Sequence, residues 1–474
     1  MPGTTHTTAH HSPDAALSAT GEVSVSRWLL PAIAIGTTLA PLNSTMIAVA
    51  LPEIRNAFGV SVTATTWLVT LYLVAMAAGQ PVGGRLGDLY GRRRVYLIGL
   101  AWFGIASAGC AFAPSLEWLI VFRTQQALAG TLSFPNGAAM VREAVPAERR
   151  ATAFGTIGLA TGMAAGLGPP LGGTLVHLFG WSAIFWANVP MVGLALALGW
   201  RSLPSIPPAR VERTRFDVTG AVLFAAALSA IIAIPMLIKA GHPSVAVGAG
   251  ALGASLGVAF VWWERRAKGP VVDVRLFANR HFAAACASVG LSNLVMYTTL
   301  LALPLYLEEV RDQGVQKAGL VLAAMSIFAA LLGPLSGRWT DRVGRWLPSV
   351  AGGVISLVGA VMVAISVTGT SIAPIVMAMV VTGVGLGISM TPVQTAALEA
   401  APMAKTGSAA GIFSTSRYLG SVVGSTVLAA LFTGQIATEN ESRYVALFTG
   451  LALVALVAVF TSARVADRRQ GATP

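Results

Sequence analysis

Charge is what this chain has least of. Asp, Glu, Lys and Arg make up 11% of its 474 residues, against 55% for hydrophobic types, where soluble globular chains carry roughly 25% charged residues. That supply cannot cover a water-facing surface, and the mean hydropathy of +0.72 places the chain in lipid. Cysteine is nearly absent: Cys110 and Cys286 lie 176 residues apart inside apolar stretches. They read as small core residues, which excludes a disulfide framework and a thiolate metal site. His6, His10 and His11 have no Cys or carboxylate set beside them, so no metal and no other cofactor is expected. The phosphate-loop pattern G-x-x-x-x-G-K-[ST] is missing, which excludes an ATP-driven pump as a single chain. Clustered His and carboxylates or a nucleophile–base pair at membrane depth are missing too, so the chain is not read as an enzyme. Residues 1–24 hold no apolar run; they are expected to be a disordered tail, not a signal peptide.

Long apolar runs are what the chain has in abundance. A helix needs about 20 apolar residues to cross a bilayer, and fourteen segments qualify: 28–51, 64–86, 95–114, 118–141, 152–178, 182–200, 218–240, 244–263, 282–307, 316–336, 346–368, 372–397, 406–433 and 443–463. Of the 31 Lys and Arg, 24 fall on the side that holds both termini. Five (Arg55, Lys239, Arg311, Lys317 and Arg443) fall on the other, and Arg123 and Arg417 lie within segments. By the positive-inside rule that basic face, with both termini, is expected in the cytoplasm of a multi-pass protein of the cell membrane. The net charge of +12 is thereby a topology signal, and nucleic acid is not an expected partner.

A charged phrase is written twice. Gly84-Arg85-Leu86-Gly87-Asp88-Leu89-Tyr90-Gly91-Arg92 returns as Gly337-Arg338-Trp339-Thr340-Asp341-Arg342-Val343-Gly344-Arg345, with Gly, Arg, Asp, Gly and Arg displaced by 253 residues. Glu143 and Glu399, Gly155 and Gly411, and Gly168 and Gly424 repeat at an offset of 256. Segments one to six therefore correspond to segments nine to fourteen, and segments seven and eight are an insertion. The expected fold class is an all-α integral membrane protein of 14 transmembrane helices: two six-helix pseudo-symmetric bundles plus two inserted helices. Its expected divisions are a tail at 1–24, a bundle at 25–200, a basic linker at 201–217, inserted helices at 218–263, a linker at 264–281, a bundle at 282–463 and a tail at 464–474. The second linker, with Val272-Asp273-Val274-Arg275-Leu276-Phe277, reads as a short amphipathic helix on the membrane surface.

These motifs resemble the major facilitator superfamily, and within it the fourteen-span drug:proton antiporter branch. The resemblance is carried by Gly84 to Arg93, by Arg123-Thr124-Gln125-Gln126, and by Gly168-Pro169-Pro170-Leu171-Gly172-Gly173. It is carried also by Leu42-Asn43-Ser44-Thr45 with Val49-Ala50-Leu51-Pro52, and by Trp181 with Phe185, Asn188 and Pro190. It implies a monomeric secondary transporter that exports amphipathic small molecules by proton antiport; a transporter of one metabolite, or a membrane scaffold, are the rival readings. It also implies latches between the halves, built from Gly84, Arg85, Asp88, Gly91, Arg92 and Glu143, and from Gly337, Arg338, Asp341, Gly344, Arg345 and Glu399. Asp88 would meet the helix starting near Gly407-Ser408 and Asp341 the one starting near Thr152, where a helix dipole favours an anion. Static topology anchors are the alternative.

For the interior, the cavity and coupling candidates are Asn43, Thr45, Arg123, Gln126, Asn188, Asn293, Tyr297 and Arg417. Arg123 either snorkels to the outer face or serves a gate or proton site, and Arg417 has less room to snorkel. Gly168, Pro169, Gly172 and Gly173 read as a hinge or as ordinary close packing. One departure stands out: the branch commonly has Asp where this chain has Asn43, and Asn cannot titrate. None of the 19 acidic residues falls in mid-segment. The expected cavity is neutral to positive and its cargo not dicationic. Glu53, Glu308, Glu309 and the latch acids are left as proton carriers.

Overall fold

The computed structural model describes residues 27–204, 217–313, 315–431 and 441–465. The expected tails at 1–24 and beyond 465, the linker residues 205–216, the three N-terminal histidines, and the side chains of Glu308 and Glu309 lie outside what is described.

Each of the fourteen apolar segments is built on helix over its described residues. The first six are α1 Leu29–Phe58, α2 Val62–Tyr90, α3 Arg92–Ala111, α4 Leu116–Ala144, α5 Arg150–Phe179, and the pair α6 Ala183–Trp186 and α7 Asn188–Ser202. The inserted two are α8 Val218–Lys239 and α9 Pro243–Glu264. The last six are α10 Arg280–Glu309, α11 Val315–Val343, α12 Trp346–Ser366, α13 Ala373–Ala400, α14 Thr406–Leu431 and α15 Glu441–Ser462. Among the described residues eleven are long and apolar enough to cross a membrane, and α8 contributes a shorter apolar stretch, Val218–Ile234. α4 and α14 are less apolar because they carry Arg123, Gln126 and Asn136, and Arg417 with a run of Ser and Thr. Prolines inside the helices, such as Pro81 and Pro334, are tolerated where neighbours satisfy the freed carbonyls.

The repeat is realised helix by helix. α1 packs on α5 and α7 as α10 packs on α14 and α15, while α2 and α3 pack on α4 as α11 and α12 pack on α13. The halves meet at two equivalent crossings, α2 with α14 and α11 with α5. Both crossings use glycine to bring backbones together: a Cβ on Gly411 would lie 2.7 Å from Pro81 Cα, and one on Gly155 would lie 2.7 Å from the Gly333 carbonyl carbon. The repeated phrases end in matching turns. Gly91 and Gly344 take φ of +96° and +98°, a region costly for any residue with a Cβ, so the turns into α3 and α12 both depend on glycine.

Within each half the repeat extends to side chains. Gly168 lies against Thr45, and Gly424 against Thr298; the two threonines are themselves 253 residues apart. The inserted pair packs through α8 onto α2 and α14, with the Phe224 and Phe260 rings tilted at 35° and their centroids 5.1 Å apart. α9 turns Val245, Val247, Leu252 and Val258 outward, as a helix facing lipid does.

The second linker departs from the sequence reading. Only Val274–Ala278 is helical, as a 3₁₀ turn, and Val271, Val272 and Leu276 are buried in the core that joins both halves. Glu264 Oε1 accepts the Val271 and Val272 amides at 3.1 and 3.2 Å, and Asp273 pairs with Lys405 at 2.6 Å. Those anchors hold the segment against protein, where an amphipathic pattern alone suggested lipid.

Candidate functional site

Two groups of chemistry-bearing residues stand apart along the membrane normal: a double clamp at the basic face and a polar cluster in the apolar interior.

In the clamp, the α2 and α11 ends each deliver one aspartate across the interface to the start of a helix. Asp88 accepts the Gly407 amide at 3.0 Å, the Ser408 amide at 2.8 Å and the Ser408 hydroxyl at 2.8 Å. Asp341 accepts the Ala151 amide at 3.0 Å, the Thr152 amide at 2.9 Å and the Thr152 hydroxyl at 2.6 Å. Both carboxylates occupy the site where the first amides of α14 and α5 lack helical partners and the dipole is positive. The helix starts expected from the sequence are the ones they reach.

The surroundings of the two differ. Asp88 is 4% exposed and pairs with Arg92 at 3.0 Å. Arg92 also pairs with Glu143 and donates across the interface to the Met403 carbonyl at 2.8 Å. Arg345, the counterpart of Arg92, pairs instead with Glu399 at 2.7 Å, and Glu399 draws Arg150 from the other half at 3.6 Å. Arg85 is buried whereas its counterpart Arg338 is exposed. Burial raises the Glu143 carboxyl above its ordinary 4.5, against the opposing pull of Arg92.

Arg142 was missed by the motif reading. It donates to Thr406 Oγ1 at 2.6 Å and to the Ala401 carbonyl at 2.7 Å, closing the α13–α14 turn from the opposite half. Burial, and then Arg150, lower its guanidinium to about 10, so it stays charged at neutral pH. The repeat counterpart of Arg142 is Leu398, and a motif sought twice passes over a residue present once.

In the interior, Arg123 is 1% exposed and does not reach the outer face. It donates to Gln126 Oε1 at 2.6 Å, and its guanidinium carbon lies 4.0 Å from the Tyr72 ring centroid. Asn43 donates to the same Gln126 oxygen, and Gln126 Nε2 donates to Ser107 Oγ at 2.7 Å. Asn43 therefore ties α1 to α4 as a helix-packing hydrogen bond. Asn188 and Asn293 are buried, and Asn293 bonds its own helix at Val289. Thr45 bonds its own helix at Pro41 and Leu42, and Tyr297 is half-buried.

Arg417 is half-buried, and its guanidinium lies 5.2 Å from the Phe134 ring of α4 and 5.4 Å from the Tyr418 ring. On α5, Gly172 lies against Met46 of α1, with a Cβ there 3.0 Å from Met46 Cα, while Gly173 meets only Val49 at 3.7 Å. The Gly-Pro segment thus packs within its own half, away from the interface glycine Gly155. Both cysteines are buried and free.

Comparison with known proteins gives a consistent result. The Major Facilitator Superfamily model matches residues 33–425. The chain is 33% identical over 416 residues to the multidrug resistance protein Stp of Mycobacterium tuberculosis, covering 87% of this chain and 77% of that one. It is 28% identical over 423 residues to the riboflavin transporter RibZ of Clostridioides difficile, covering 88% and 90%. Among solved structures, the human organic anion transporter MFSD10 superposes with a TM-score of 0.68 at 15% identity, covering 92% of this chain and 99% of that one.

Proposed function

Since the chain belongs to the major facilitator superfamily, whose members are transporters rather than enzymes, we propose that it exports amphipathic small molecules from the cytoplasm by alternating access, driven by proton antiport. The observation that carries this reading is the double clamp. Asp88 and Asp341 each cross between the halves to a helix N-terminus with the same three donors, so one face is held shut by contacts that water can replace. That is the bistable element alternating access needs. We place this face, with both termini, in the cytoplasm, on the distribution of Lys and Arg. Gly168 to Gly173 then belong to the body of one half, and the gate lies at Gly155 and Gly411.

A relative named as a multidrug resistance protein supports the export of diverse cargo. The half-buried Arg417 and the sealed Arg123 give the interior positive charge with no carboxylate partner among the described residues, which supports neutral or anionic amphipaths over dicationic ones. A second reading is a transporter for one metabolite without proton coupling. It is favoured by the untitratable Asn43–Gln126 pair and by a relative named for riboflavin. Everted membrane vesicles separate the two: under proton antiport an acid-inside gradient drives accumulation of a neutral fluorescent amphipath several-fold, and an uncoupler abolishes it. Accumulation indifferent to the gradient would leave the second reading standing.

A further inference from the structure

The interior holds two guanidinium groups and, among the described residues, no carboxylate at their depth. They are not equivalent. Arg123 is sealed, with its charge spread over Gln126 and Tyr72. Arg417 lies eleven residues into α14, about 16 Å from the basic face at 1.5 Å per residue, near the middle of a hydrocarbon core about 30 Å thick. Its guanidinium makes no hydrogen bond and no ion pair among the described residues; the groups beside it are two aromatic rings. Phe134 comes from the first half and Tyr418 from the second, so the pair straddles the interface at which the halves separate. Tyr418 packs against the buried cluster of Tyr72, Ala75, Met76 and Ala127.

An Arg at this depth is expensive unless an anion or an acceptor set meets it. Rings attract the cation through their faces but satisfy none of its five N–H donors. The planar fork suits a carboxylate or a similar oxyanion, and the rings beside it suit a flat apolar body. Partial exposure keeps the group reachable.

We propose that Arg417, framed by Phe134 and Tyr418, receives a single negative charge on a planar aromatic cargo. This rests on the transport reading above and names the cargo's chemical class.

Equilibrium binding to the purified full-length protein tests it without needing a gradient or a direction of transport. Three probes share one ring system: 1-pyrenecarboxylate, 1-pyrenecarboxamide and 1-pyrenemethylammonium. The carboxylate is expected to bind about tenfold or more tighter than the amide, and the ammonium weakest. Arg417→Gln brings the carboxylate to within about twofold of the amide, and Phe134→Ala weakens all three together. If Arg417→Gln does not fold, Arg417→Lys keeps the charge but loses the fork, and lowers the carboxylate preference part-way. Equal affinities for the three probes in the wild type, or a carboxylate preference that survives at position 417, would overturn the inference. Charge-selective binding with no vesicle export would count against the transport reading alone, and export with no charge preference against this inference alone.

Discussion

The two aspartate clamps are built on one plan and wired differently. At their contact points they match: two helix-start amides and one hydroxyl at 2.6–3.0 Å for each carboxylate. Behind those points the first half joins the buried Asp88 and Arg92 and the half-buried Glu143 into one chain. The second half leaves Asp341 apart and commits Arg345 to Glu399 and, across the interface, Arg150. Arg142 adds to the first half a bridge that Leu398 cannot supply in the second. The backbone crossings follow the repeat closely and the charges do not. Duplication fixes where helices touch, because backbone contacts depend on small residues at a few positions. Charge networks re-pair whenever one long side chain nearby changes.

The comparison can be broken or sharpened by experiment. The largest effect is expected where the halves are alike. Gly411→Val and Gly155→Val each push a side chain into facing backbone, costing the closed state about 3 kcal/mol or more. Both should reduce export below about a tenth, to a similar degree, with normal membrane insertion. Unequal losses would show that the crossings are not equivalent.

Next come the aspartates, where the halves should differ. Asp88→Asn strips charge from a buried carboxylate and leaves Arg92 with less compensation, and is expected to weaken closure by about 2–4 kcal/mol. Asp341→Asn, in a half-buried site with no direct arginine pair among the described residues, should cost about 1 kcal/mol. Cysteine cross-linking across α2–α14 and across α5–α11 reads the closed fraction, and equal losses would reject the difference in wiring.

The smallest effect is one of pH. Burial in the closed clamp raises Glu143 above 4.5, so the closed state holds that proton more tightly than an open, hydrated one. Acidification through the range above 4.5 should therefore favour closure, and the contribution disappears as pH rises past the raised value. The shift in the open-to-closed ratio should be small beside the effects above, read by spin-label distances across the basic face, and absent in Glu143→Gln.

Much of this architecture was legible in the chain itself. The fourteen helices follow from apolar runs, and the clamp's aspartates with their target helices follow from the 253-residue displacement and the family resemblance. What escaped had physical reasons. Arg142 occurs once, so a search for repeats cannot mark it. The linker at 264–281 has an amphipathic pattern that suits lipid or protein equally, and only the buried Glu264 and Asp273 anchors choose between them. The burial of Arg123 against Tyr72 depends on how α2 faces α4, which no spacing within α4 reveals.

One feature of the interior bears on ancestry. Gln126 turns its amide oxygen to two donors at once, Arg123 and Asn43. Were position 43 an aspartate, that oxygen would confront a second acceptor. The acid would then keep a proton to bridge the gap, or lose it and swing toward the guanidinium. Asparagine and aspartate codons differ by a single base. A lineage carrying this arrangement stands one point mutation away from a titrating core, with the acceptor and the cation that such a core requires already in place.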